Sequence, residues 1–166
     1  MERRTIHGRG GQGAAGGEEL NIPEQLIEQV KQDEGLRLTA YWDPIGKCFT
    51  IGYGHTGRDV QDAMTITQAR ADALLARDLT AAGADLDEAF PWAEGLGVIR
   101  HAVLWNMTFN MGIDRLRGFH EALAAAEAGQ WDACAAQMLD SLWAQQVGGR
   151  ATRLAQQMRT NGWVMA

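Results

Sequence analysis

Residues 98–111 constrain this chain more than any other stretch. Nine of the fourteen are apolar (Val98, Ile99, Ala102, Val103, Leu104, Trp105, Met107, Phe109, Met111), and they fall on every side of a helical wheel. A helix without a polar face is stable only when buried all round, so the remaining chain must wrap it. Gly112 supplies its stop. With 166 residues, 46% of them hydrophobic, the chain has enough apolar surface for one ordinary domain or two small lobes sharing a core. That apolar fraction excludes global disorder. No run reaches the roughly 18 apolar residues of a membrane-spanning helix.

Amphipathic segments able to cover the central helix lie on both sides of it. Asn21-Ile22-Pro23 opens one, Leu26, Ile27 and Val30 form its apolar stripe, and Gly35 is its expected stop. A second begins after Thr67, a capping residue, repeats Ala71, Leu74, Leu75, Leu79 and Ala82 at helical spacing, and runs toward Phe90 before Pro91. Shorter helices are expected around 119–128, 131–146 and 150–160, separated by Gly129 and Gly148-Gly149. Residues 37–54 differ: aromatic and β-branched residues flank Asp43-Pro44-Ile45-Gly46, the pattern of a short β-hairpin. Alternation in its second strand places Thr50, Gly52 and Gly54 on one nearly bare face, open to close approach by a ligand. The fold class is therefore α+β and mainly helical, with one small hairpin.

The first 17 residues contain six Gly and no hydrophobic periodicity, as expected of a flexible tail or linker. Met1-Glu2-Arg3-Arg4 leads into Gly and polar residues, so no secretory signal is expected. Cys48 and Cys134 are too few for a disulfide scaffold and are expected to be reduced thiols packed as small hydrophobes. The net charge of −6 argues against a protein built to bind polyanions. The charge is uneven: residues 18–99 carry 15 acids and six bases, whereas no acid follows Asp140.

The chain has no phosphate-binding Gly loop, dinucleotide fingerprint or nucleophile elbow. The four His lack metal-ligand spacing, so no metal and no cofactor is expected. Aromatic and basic residues do not interleave as in single-strand nucleic-acid binders, so no nucleic-acid partner is expected. Carboxylates remain. Asp33-Glu34 falls in the last turn of the first helix, where the helix dipole disfavours negative charge. Asp43 opens the hairpin turn nine residues after Glu34. Such a pair suits glycosidic cleavage, in which a protonated acid meets the leaving oxygen and an ionised carboxylate serves water or the sugar cation. Spacing alone leaves a second reading open, a solvated helix end and an ordinary Asp-Pro turn.

Further motifs surround this pair. Glu34-Gly35-Leu36-Arg37-Leu38, Tyr41-Trp42-Asp43 and Thr50-Ile51-Gly52-Tyr53-Gly54-His55 are followed in order by Trp105-Asn106-Met107, Phe109-Asn110-Met111-Gly112, Gly118-Phe119, Trp131-Asp132, Ser141-Leu142-Trp143 and Gly149-Arg150-Ala151. Together, from about Ile22 to Trp163, they resemble the phage-type lysozyme family of glycoside hydrolases. The resemblance implies a two-lobed lysozyme-like fold. A tail over 1–20 would precede a domain over 21–166, with a hairpin lobe at about 36–64 and a helical lobe at about 91–163 that includes the first helix.

The same resemblance implies a muramidase that hydrolyses the β-1,4 bond between N-acetylmuramic acid and N-acetylglucosamine in peptidoglycan. Glu34 is the implied general acid, and Asp43 orients and deprotonates the attacking water, with Thr50 holding that water. Inversion follows, in keeping with a carboxylate gap of roughly 6.5–9.5 Å. Six residues separate Asp43 from Thr50 where the family pattern has five, so the turn is expected to be one residue longer. Thr56, Phe109 and Gln137 are the implied substrate contacts; Phe109 reads equally as a core aromatic. A polar family position falls on Ala122, where that contact is lost. Arg150 is implied to reach Glu34, against a plain surface-Arg reading. His55 is given a structural role, paired with Asp78.

Other readings are a lytic transglycosylase, which needs no Asp43–Thr50 water site, and a non-catalytic peptidoglycan-binding or tail module. A monomer without stable membrane insertion is expected, held in the host cytoplasm until another agent brings it to the periplasmic peptidoglycan. The acid-free stretch after Asp140, with Arg150, Arg153 and Arg159, is expected to present a basic face beside the cleft.

Overall fold

The computed structural model describes residues 21–165, and the expected Gly-rich tail lies outside the described residues. Helix α1 (Glu24–Glu34) buries Leu26, Val30 and Gln29 on one side. Gly35 at φ 69° returns its amide to the Lys31 carbonyl and releases the chain into a sheet. Strands β1 (Arg37–Asp43), β2 (Cys48–Gly52) and β3 (His55–Thr56) make that antiparallel sheet in the order β1-β2-β3. Asp43 pairs with Cys48, so residues 44–47 form the turn, with Lys47 at φ 52°. The second strand ends at Gly52 rather than running on to Gly54, because Gly52 already takes φ 67° and turns the chain.

Helix α2 (Gln68–Ala89) starts at Thr67, whose hydroxyl accepts the Arg70 amide. Its 22 residues make a rod about 33 Å long that touches two separate hydrophobic clusters. Leu74 joins Ile51 and Val60 beneath the sheet, with Phe49 and Ile66 packed alongside. Leu75, Leu79, Ala82 and Leu86 face the larger cluster around helix α3 (Val98–Met111). Every residue from Ala102 to Thr108 is buried, so α3 is the central helix its pattern predicts, although Val98 in its first turn remains 64% exposed. The larger cluster also takes Leu26 and Val30 of α1. Each fully buried Leu, Ile or Met contributes about 1.5–3 kcal/mol relative to exposure.

A close approach locks α2 to α3. A Cβ on Gly83 would lie 2.5 Å from the Trp105 ring, so only Gly admits the indole against the α2 backbone. There Trp105 Nε1 donates to the Leu79 carbonyl at 2.7 Å.

A 3-10 turn (Pro91–Leu96), α4 (Ile113–Arg117) and α5 (His120–Glu127) continue the wrap. The single helix expected over 131–146 is two, α6 (Trp131–Leu139) and α7 (Leu142–Val147). Ser141 separates them: its hydroxyl donates to the Met138 carbonyl and accepts the Ala144 amide, capping a new helix instead of continuing the old one. Helix α8 (Gly149–Thr160) closes the fold against α3 and α6. No described helix is long and apolar enough to cross a membrane.

Candidate active site

Glu34 is the last residue of α1, and Arg150 is the second of α8. The unbroken stripes on α1, α3 and α8 bring three distant segments to one point. Arg150, only 7% exposed, donates from Nη1 to Glu34 Oε1 at 2.7 Å and from Nε to Asn106 Oδ1 of α3 at 2.8 Å. Its Nε also stands 3.2 Å from Asp33 Oδ2, an ion-pair contact whose hydrogen is directed to Asn106. Arg153 holds the other Asp33 oxygen at 2.5 Å. Charge-assisted bonds of this kind fix orientation as well as adding energy. Neither Arg therefore offers a free charge to solvent, and Arg159 is paired with Asp132 at 3.5 Å. Among the described residues, Arg150, Arg153 and Arg159 each meet a carboxylate contributed by another segment instead of forming the basic face expected from the acid-free stretch.

The second Glu34 oxygen faces the sheet. A Cβ on Gly54, at φ 87°, would come within 3.4 Å of Oε2, so the bare position admits the carboxylate beside the turn into β3. Here a cavity of about 360 Å³ opens between the sheet and the helices. Glu34, Gly54 and Thr56 line one side, and Asp85, Phe109 and Asn110 the other. Phe109 thus packs against the core and also lines the cavity.

Gln137 does not share this space. It borders a separate cavity of about 270 Å³ with Ala122, Phe119 and Asp140. Asp43 is likewise not among the residues lining the Glu34 cavity. Its Oδ1 accepts the Ile45 amide at 2.9 Å within the hairpin turn. Thr50, 4% exposed, has a hydroxyl without a hydrogen-bond partner. The register sets Thr50 directly opposite Tyr41 on one side and Thr56 on the other. Asp43, two residues beyond Tyr41, shares that face, with its backbone about 7–8 Å diagonally from Thr50.

His55 and Asp78 meet at 2.6 Å, joining the sheet to α2. Arg77 Nη2 lies 3.1 Å from His55 Nε2. Asp59 flanks the ring, and its backbone amide and then His55 hold its carboxyl below the usual range. Among the described residues no cluster of three metal-ligating side chains occurs.

Asn106, Gly54 and Asp33 complete the surroundings of Glu34; of these, only Asn106 has no role expected from the sequence. Asn106 is a fully buried amide between Trp105 and Met107 in the central helix, and that misfit is the mark that could have singled it out.

Comparison with known proteins adds to this geometry. A family model described as Phage lysozyme matches residues 31–160. The chain is 33% identical over 153 residues to the pre-baseplate central spike protein Gp5 of Enterobacteria phage T4, covering 78% of this chain and 26% of that protein. It is 32% identical over 129 residues to an endolysin of Bacillus phage PZA, covering 68% of this chain and 47% of the relative. A probable T4-type lysozyme of Dictyostelium discoideum is 26% identical over 160 residues, covering 81% of this chain and 94% of that protein. The chain thus spans about a quarter and about half of the first two relatives.

Proposed function

This chain belongs to the phage lysozyme family, and on that premise we propose that it is a muramidase hydrolysing the β-1,4 bond between N-acetylmuramic acid and N-acetylglucosamine in peptidoglycan. The observation that carries the proposal is the Glu34 carboxylate, fixed by a buried Arg150 on one oxygen and open to the 360 Å³ cavity beside Gly54. In this role Glu34 protonates the leaving glycosidic oxygen while Arg150 keeps the carboxyl from swinging into the core. Asp43 directs and deprotonates a water whose other partner is the unpaired Thr50 hydroxyl, and attack opposite the leaving group inverts the anomeric carbon. Thr56 and Phe109 contact the sugar at the cavity, and Gln137 contacts a more distant part of the glycan.

Glu34→Gln keeps the size of the side chain and removes the transferable proton. Turbidity clearing of permeabilised bacteria should fall by roughly 10²–10⁴-fold while circular dichroism shows the fold retained. Near-normal clearing by this variant would overturn the mechanism.

A lytic transglycosylase reading draws on one observation, that Asp43 stands apart from the residues lining the Glu34 cavity. Product mass separates the two: hydrolysis leaves a reducing muramic end, and intramolecular attack leaves an anhydro end lighter by one water. The spike-protein relative keeps a tail-associated setting open beside that of a free endolysin.

A further inference from the structure

We propose that Arg37, held on the ring of Tyr41, is a subsite of the same cleft that binds a carboxylate on the peptide arm of the glycan. This rests on the peptidoglycan reading above and adds to it a specificity-determining pair. The register of the sheet places the pair. Tyr41, Thr50 and Thr56 stand directly opposite one another across the three strands, so their side chains share one face. Thr56 lines the Glu34 cavity, hence Tyr41 faces the same side, with its backbone about 10 Å farther out, at two strand spacings. Tyr41 is 38% exposed, on the edge strand of the sheet.

In an unbroken strand residues four apart lie about 13 Å from each other. Here a register shift between Arg37 and Tyr41 bends β1. The bend arises where residues 38–40 turn aside to pair with 64–66, through Ala40 N to Met64 O at 2.8 Å and Ile66 N to Leu38 O at 2.9 Å. It brings the Arg37 guanidinium 4.7 Å from the centre of the Tyr41 ring. The ring occupies one face of the guanidinium and leaves its N–H edge open. Among the described residues no carboxylate lies within 4 Å of Arg37, whereas Arg150, Arg153 and Arg159 all have acidic partners. A pre-oriented, weakly hydrated fork of donors on a sugar-binding face is matched to a planar carboxylate.

Soluble glycan–peptide strands with free carboxylates, and the same strands fully amidated, test the assignment. Amidation should raise the wild-type KM by about three- to fivefold, as expected for an exposed charge pair. Arg37→Gln should raise KM on free-carboxylate strands by the same factor, and amidation should add nothing further; Arg37→Lys should recover part of the loss. Tyr41→Leu should behave as Arg37→Gln, and Tyr41→Phe as wild type. An unchanged KM for Arg37→Gln, or independent multiplication of its effect with that of amidation, would overturn the subsite. Equilibrium binding of both strand types, read by tryptophan fluorescence in wild type and Arg37→Gln, decides the matter without turnover. If neither strand is cleaved, the hydrolase proposal fails, while the subsite still stands or falls on the Kd pattern. Both residues are on the surface, and unchanged melting temperatures exclude a folding effect.

Discussion

Thr50 combines two properties that oppose each other. Its side chain is buried, yet its hydroxyl makes no hydrogen bond to another protein group and is left available to a water. Thr50→Val keeps the shape and removes the hydroxyl, so we predict at least a tenfold loss of clearing with the fold retained. A fully active variant would show that the hydroxyl takes no part in the reaction. Cys134 is a different kind of buried group: burial pushes its thiol up from 9.0 to about 11. Between those values the unfolded chain loses a proton that the folded one keeps, so stability must fall as pH rises through that window. At its limit the loss is roughly 2–3 kcal/mol. Urea midpoints at about pH 8 and 10.5 should therefore drop less for Cys134→Ala than for wild type. Equal drops would refute the assignment.

At the level of elements, two His–Asp contacts tie α2 to its neighbours, one at its middle and one near its C-terminal end. His55–Asp78 ties the sheet to it, and His101–Asp87, at 2.7 Å, ties it to α3. His55→Asn removes one tie at a residue outside the Glu34 cavity, although its partner Asp78 lines the cavity wall. We predict a loss of about 1–3 kcal/mol in thermal or urea unfolding and near-normal clearing at permissive temperature. A variant with native melting behaviour and no hydrolysis would instead make His55 part of the chemistry. The limits of α2 and α3 were legible because Thr67, Pro91 and Gly112 punctuate strong periodic runs. The break at Ser141 was not, since Ser is tolerated within helices and only its two hydrogen bonds separate α6 from α7. Gly83 looked like any helical Gly, because its reason is an indole ring 22 residues away in sequence.

Across the whole molecule, the net charge of −6 sets how an anionic polymer is met. With Arg150 and Arg153 engaged by Glu34 and Asp33, the helical lobe offers little long-range attraction, and binding depends on close contacts. We predict that raising salt from about 50 to 150 mM slows clearing by less than roughly threefold, whereas a strongly basic relative loses more. A steep loss over that range would mean that approach is steered after all.

The sequence alone determined the buried central helix, the hairpin and the mainly helical class, because each is written in periodicity, punctuation or short collinear motifs. The tertiary structure alone decided that Arg150 and Arg153 are engaged by the acids at the end of α1, that Gln137 lies apart from the Glu34 cavity, and that a bent edge strand lays Arg37 on Tyr41. Those are pairings between segments, and no local pattern specifies them. Burial selects the partner that neutralises a charge, and the register of a sheet selects which residues share its face.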